Sequence, residues 1–424
     1  MAADLNSSLA EFAAIVGSDH IRRAMPSDVV DGAQPQIVIE PGSVDEVARA
    51  LRSAALAGLL LAPRGGGTKM EWGNAPQGVD LILSTRRLNR VLEHAWADMT
   101  ATVEAGCSVA YFQQVLAEHG QCLAIDPLWP ERSTIGGVLA TNDSGARRVR
   151  FGALRDLIIG ITVALPDGTV AKSGGKVVKN VAGYDLPKLF TGSFGTLGII
   201  TEATFRLHPL SHEARTLSFT TGTADAANKF ALAIHDSTLA PTGIQIRLRS
   251  DETPQIDVRF EGVAAALGAQ TEQLLRLAAG AERIPYQPET WGAREKLWDG
   301  AEEEPALVCK FSVLPTQVGL FCELARAVAA SFAVTWQVVA QSIGLGLLRL
   351  EASHERALLS AFEVLREESK EFGCSLVVLR CSPEMKARLD VWGTVGDALP
   401  LMRRIKQQFD PTGILNRGRF VGGI

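Results

Sequence analysis

Leu59-Leu60-Leu61-Ala62-Pro63-Arg64-Gly65-Gly66-Gly67-Thr68-Lys69-Met70 runs an apolar strand straight into three glycines. Glycine tolerates φ > 0 and lets the backbone approach a ligand closely. A triplet can therefore turn its amides inward as an anion-binding nest, with Arg64 and Lys69 as flanking cations. A phosphate or pyrophosphate suits such a loop. Taken alone, the loop reads equally as a flexible turn with two solvated charges.

Upstream, residues 36–39 are β-rich. Ser43-Val44-Asp45-Glu46 matches a capping box. Val44, Val47, Ala48, Leu51 and Ala55 keep helical spacing, and Gly58 suits the position just past a helix end. Residues 59–62 then read as a buried strand, so the triplet follows the second strand of a β-α-β unit. A Rossmann fingerprint places its glycines after the first strand, opening a helix. Here the loop Glu71-Trp72-Gly73-Asn74-Ala75-Pro76 follows instead. No Gly-x-x-x-x-Gly-Lys is present, which excludes a Walker A loop.

At 424 residues, two or three domains are expected. With 46% hydrophobic and 21% charged residues, the composition is that of a soluble globular enzyme. A net charge of −5 gives no sign of a nucleic-acid-binding surface. The six cysteines form no Cys-x-x-Cys pair. That favours free thiols in a reducing cytoplasm over an iron–sulfur cluster or a zinc site. The N-terminus carries no signal-peptide pattern. Residues 327–348 lack charge and are long enough to span a bilayer. Ser331, Thr335, Gln337, Gln341, Ser342, Gly344 and Gly346 mark them instead as a helix end followed by two strands.

Residues 100–104 alternate as a strand, and 108–119 read as a helix ended by Gly120. A short helix opening near Thr134 would present its N-terminal amides to an anion. Residues 157–165 and 169–172 form a hairpin across Pro166-Asp167-Gly168. Residues 199–207 form a strand, and His208-Pro209-Leu210 reads as a linker. Beyond residue 212, helices near 224–236, 264–279, 316–331 and 354–371 alternate with six strands, which predicts an antiparallel sheet with helices on one face. A last helix covers 396–409. No internal repeat is visible. The expected fold class is α+β, divided into 1–211, a cap at 212–395, and a helix and tail at 396–424 that return to the first domain.

Five segments, taken in order, carry a resemblance. They are Pro63-Arg64-Gly65-Gly66-Gly67-Thr68, Thr134-Ile135-Gly136-Gly137, Ala140-Thr141-Asn142-Asp143-Ser144-Gly145, Arg150-Phe151-Gly152 and Gly195-Thr196-Leu197-Gly198-Ile199-Ile200-Thr201-Glu202. Together they resemble the FAD-binding domain of the vanillyl-alcohol oxidase / p-cresol methylhydroxylase (PCMH-type) flavoprotein superfamily. The segments 174–185 and 402–419 are similar to the E-subunit branch of bacterial glycolate oxidases. That tail usually reads Asn-Pro-Gly, where this chain has Asn416-Arg417-Gly418. Residues 215–380 match only loosely.

The resemblance implies a two-subdomain PCMH-type domain binding FAD, plus an α+β cap. It implies that Pro63, Arg64, Gly65, Gly66, Gly67 and Thr68 cradle the pyrophosphate through backbone amides, with further amides and a hydroxyl from Thr134, Gly136 and Gly137. Pro127, Thr141, Ser144 and Gly145 would lie along the cofactor, and Ile200 would bond it through its backbone. Charge-assisted bonds of this kind are worth about 1.5–3 kcal/mol each. Relatives that attach FAD covalently use a histidine just after the glycines; Thr68 stands there, so noncovalent FAD is expected.

The implied activity is oxidation of glycolate or a related 2-hydroxy acid by an FAD-dependent oxidoreductase subunit. Its partners would be a second, catalytic D-type flavoprotein and an iron–sulfur subunit, with electrons passed to a partner subunit. The complex would be cytoplasmic or peripheral to the inner membrane. Related 2-hydroxy-acid dehydrogenases carry a histidine–glutamate metal cluster in the cap. This cap offers His235 and His354 without a close histidine pair, so no metal site is expected and no catalytic residue is assigned. Arg247, Arg249, Arg349 and Arg380 are either a carboxylate clamp or solvated strand residues. Arg147, Arg148 and Arg150 serve FAD, a partner or an exposed turn. A stand-alone dehydrogenase of another hydroxy acid or sugar acid, and a redox-silent scaffold, are the other open readings.

Overall fold

Ser43 starts the helix Val44–Ala57 as its pattern predicts, its Oγ accepting the Glu46 amide at 3.2 Å. The Glu46 carboxylate reaches back one residue further than a capping box requires, to the Gly42 amide at 2.8 Å. Gly58 ends the helix at φ 66°, the left-handed conformation glycine adopts without strain. The computed structural model describes residues 5–176, 183–300 and 304–424. It divides into two units: Met1–Ser144, Ala153–Leu210 and Thr394–Ile424 form one, and Gly145–Gly152 with Ser211–Gly393 form the other. Of the segment 174–185, residues 177–182 lie outside those described. The fold class is α+β, as expected.

In the first unit the strand after the helix is Leu61–Arg64, slightly later than the apolar run suggests. Leu81–Ser84 lies parallel between it and Ile37–Ile39, and Ile21–Arg23 adds an antiparallel edge. Leu81, Ile82 and Leu83 are fully buried. Such a short, wholly apolar strand shows no alternation to announce it. The C-terminal tail lies along the other side of Leu61: the Leu61 amide donates to the Ile414 carbonyl at 2.8 Å, and the Asn416 amide to the Leu61 carbonyl at 2.9 Å.

A second, antiparallel sheet orders Val91–Ala95, Thr100–Glu104, Ile199–Arg206, Ile158–Ala164 and Val170–Gly174. His208–Pro209, read above as linker, instead pairs with Gln121–Cys122. The helices Val109–Ala117 and Ile135–Thr141 bury Phe112, Leu116, Val138 and Leu139 in the same core as the strand residues Val103, Ile161 and Phe205.

The second unit holds one antiparallel sheet of eight strands. The strand Glu213–Thr220 is absent from the sequence reading, because its first four residues are polar or small and exposed or half-buried. Its chain order is strand, helix, strand, strand, helix, strand, the ferredoxin-like unit. From Ala306 the same order begins again and ends at Ser375–Arg380. The halves join where Gly243–Arg249 pairs with Thr335–Gln341. The internal repeat that the sequence hides is thus present in the fold; apolar strand positions need only be apolar, so the halves share no motif. Alternate strand residues such as Ile244, Ile246, Val258, Phe311 and Val338 form one core with all four long helices. The other alternation presents Gln245, Arg247, Asp257, Gln337 and Arg349. Among the described residues, no helix is long and apolar enough to cross a membrane. The uncharged stretch 327–348 is the end of Val318–Phe332 followed by the hairpin of Thr335–Gln341 and Leu345–Glu351.

Candidate functional site

The glycine triplet sits at the carboxyl end of Leu61–Arg64, where parallel strands present loops to ligands. Its close approach is measurable. A Cβ on Gly65 would lie 2.1 Å from Thr134 Oγ1, and one on Gly66 1.8 Å from the Arg132 carbonyl oxygen. Gly67 has φ 77°. The amides of Gly65, Gly66, Gly67 and Thr68 donate to no backbone carbonyl among the described residues. They are the free donors that an anion nest needs.

Thr134 caps Ile135–Thr141, its Oγ1 accepting the Gly137 amide at 3.3 Å. The Gly136 amide donates to the Ala105 carbonyl at 2.7 Å. These two amides are therefore already engaged, and the anion role expected of them does not follow from the geometry. What Gly136 provides is proximity: a Cβ there would stand 2.8 Å from that of Ala105.

Pro63, Arg64, Gly65, Gly66, Gly67, Thr68, Thr134, Gly136, Gly137, Thr141 and Ile200 line one cavity of about 760 Å³. Pro127, Ser144 and Gly145 do not line it. Lys69, the second flanking cation of the loop, also lines it; Phe194, Asn416 and Arg419 do so too and escaped the sequence reading. Asn416 and Arg419 arrive from the tail, more than 340 residues beyond the loop. The guanidinium of Arg419 donates to the carbonyls of Met70 and Trp72. Burial pushes its pKa down to about 10, opposed by Asp31, so it stays charged at neutral pH. The Asn416 Nδ2 donates to the Phe194 carbonyl at 2.6 Å, while its buried Oδ1 finds no donor among the described residues. A bound group carrying N–H or O–H would satisfy it.

Among the described residues three cations thus border the cavity, but they are not equivalent. Arg64 is bound to Asp28 at 2.8 Å. The ammonium of Lys69 is buried, 3.2 Å from Ser133 Oγ and 3.4 Å from Asp143 Oδ2, with the rings of Trp72 and Trp129 at 5.6 and 5.8 Å. A desolvated cation between aromatic faces is a strong local field. The tail that carries Asn416 and Arg419 is pinned by Lys406, which binds Asp410 Oδ2 at 2.7 Å and the carbonyls of Thr196 and Leu415 at 2.8 and 2.9 Å.

In the second unit the candidate arginines hold one another's neighbours. Arg247 forks onto Asp257, which is wholly buried and also accepts from Ser218 and Gln245. Arg249 faces Glu252 at 3.7 Å. Arg349 binds Glu351 and the Leu297 carbonyl, Arg380 the Trp298 carbonyl, and Arg147 forks onto Glu261. Trp291 donates its indole N–H to Thr216 and packs beneath Gly243. His235 ends a helix and has its pKa lowered by burial, with Asp236 opposing; His354 begins another helix without a side-chain cap bond. Among the described residues, no three His, Cys, Asp or Glu side chains converge to hold a metal ion. Burial raises the Cys107 thiol to about 11, which keeps it protonated and unreactive.

Two family models match this chain: an FAD binding domain over residues 35–174 and the C-terminal domain of FAD linked oxidases over residues 394–420. The chain is 26% identical to glycolate oxidase subunit GlcD of Bacillus subtilis, over 91% of this chain and 89% of the relative. It is 28% identical to the mitochondrial D-lactate dehydrogenase [cytochrome] of Arabidopsis thaliana, over 91% and 73%. A crystal structure of p-cresol methylhydroxylase with bound substrate superposes with a TM-score of 0.76 at 16% identity, covering 98% of this chain and 96% of that one. That likeness is one of fold. The cofactor the two models name is FAD, and the cavity of the first unit has the free amides, the cations and the glycine clearances that a dinucleotide pyrophosphate requires.

Proposed function

We propose that this chain, a member of the FAD-linked oxidase superfamily and an FAD-dependent oxidoreductase, takes part in the oxidation of a small 2-hydroxy acid to the 2-oxo acid and passes the electrons to a partner subunit. The observation that carries the reading is the cavity at the glycine triplet: free amides on one wall, buried cations at its edge and an unsatisfied acceptor from the tail. The amides of Gly65, Gly66, Gly67 and Thr68 would hold the pyrophosphate, without covalent attachment. Thr134, Gly136 and Gly137 would give it room, and Thr141, Ile200, Phe194 and Asn416 would flank the rest. Bound FAD would supply two-electron chemistry, holding electrons taken from the carbon that bears the hydroxyl once the partner flavoprotein is in place. Lys69 and Arg419 place positive charge beside a group that becomes more electron-rich on reduction. The choice of a 2-hydroxy acid is supported by relatives whose names are glycolate oxidase and D-lactate dehydrogenase. A partner is supported by the words subunit and cytochrome in those names.

Anaerobic titration of the purified protein tests this. Flavin absorbance should persist when glycolate or D-lactate is added to the chain alone and bleach once the partner flavoprotein is present. Bleaching by the chain alone would contradict the dependence on a partner. Persistence under both conditions would contradict the substrate class.

A further inference from the structure

Arg64 is the cation that the sequence places at the pyrophosphate, yet its guanidinium faces away from that duty. Its Nη1 donates to Asp28 Oδ1 at 2.8 Å. Asp28 is 3% exposed and takes three further donors: Arg22 at 2.6 and 2.9 Å, and the Met25 amide at 2.8 Å. A buried carboxylate between two guanidiniums is a rigid anchor, because bidentate arginine geometry fixes both partners. The Arg64 backbone is the last strand residue before the triplet. The triplet in turn has no slack, since Gly65 and Gly66 lie against Thr134 and the Arg132 carbonyl. A displacement of the Arg64 stem would therefore move the amides of Gly65, Gly66, Gly67 and Thr68 out of register with one another.

We infer that Asp28, with Arg22, is a positioning residue for cofactor binding: it uses the Arg64 side chain as a tether that sets the amide nest, and Arg64 itself does not clamp the pyrophosphate. This rests on the reading that the cavity holds FAD. Asp28 does not itself line the cavity; it reaches it only through Arg64, 36 residues further along the chain.

The test is the affinity of the apoprotein for FAD, ADP and riboflavin in wild type, Asp28→Asn, Arg64→Met, the double variant and Gly66→Asp. ADP carries the pyrophosphate; riboflavin carries none. Asp28→Asn should weaken FAD and ADP about tenfold and leave riboflavin unchanged, a selectivity that general loosening of the fold would not produce. Arg64→Met should match it, and the double variant should be no worse than either, because both break one tether. Additive losses would show that Arg64 meets the pyrophosphate directly and would overturn the inference. So would wild-type FAD binding in Asp28→Asn, or equal loss of all three ligands with a fallen Tm. Gly66→Asp separates the two levels. If it keeps FAD, the cavity reading is wrong; if it loses FAD while Asp28→Asn keeps it, only the tether is wrong.

Discussion

The glycine loop of the first unit and the polar sheet face of the second spend their polar groups in opposite ways. Around the loop, backbone amides stay unengaged and glycines keep side chains out, so the surface waits for a ligand. On the sheet face, each charged side chain singled out in the sequence already has a protein partner, with Asp257 at the centre of four hydrogen bonds from Ser218, Gln245 and Arg247. A cluster of arginines is therefore a weaker guide to a binding site than a row of free amides. Charges buried together are held by each other before they are available to a substrate.

That contrast can be broken by substitution. The largest effect is expected from Gly66→Asp, which places a side chain and a negative charge where a Cβ already clashes at 1.8 Å. Flavin absorbance per protein should fall to background. Next is Asp410→Ala, which removes the carboxylate partner of the half-buried Lys406 ammonium and frees the Ile414 and Leu415 amides. Urea denaturation should show a loss of about 3–5 kcal/mol, together with weaker flavin retention, because Asn416 and Arg419 travel with the tail. Arg247→Met leaves Asp257 with its neutral donors only and should destabilise by about 2–3 kcal/mol without changing flavin content. Flavin loss there would dissolve the contrast between the regions. Smallest is Arg249→Gln, an exposed pair whose removal should change stability by no more than about 0.5 kcal/mol.

Acid provides a further test. The bond to Arg22, reinforced by Arg64, holds the Asp28 carboxyl well below the usual carboxylate range. A depressed folded pKa contributes stability above the unfolded value, near about 3.9, and that contribution disappears only as pH falls through the lower folded value. A pH titration of flavin fluorescence should therefore show no release attributable to Asp28 at pH 4–5.

The parts legible in the sequence are those whose signal is local. Ser43, Glu46 and Gly58 bracket a helix because caps are chemistry between near neighbours. Gly65, Gly66 and Gly67 announce a close approach because no other residue would survive there. The parts that were not legible depend on distant partners. Nothing in Leu60–Met70 says that Asn416 and Arg419 will close the same cavity, since only the tail's pairing with Leu61 brings them there. Gly136 resembles a donor until the Ala105 carbonyl is seen to hold its amide. Arg247 resembles a clamp until strand register sets it opposite Gln255 and diagonal to Asp257, which it binds.

A crystal structure of the protein with FAD bound tests the central claim most directly. The pyrophosphate oxygens should lie about 2.7–3.2 Å from amides of Gly65, Gly66, Gly67 and Thr68, with Arg64 still on Asp28. Pyrophosphate density elsewhere, with those amides facing solvent, would contradict it.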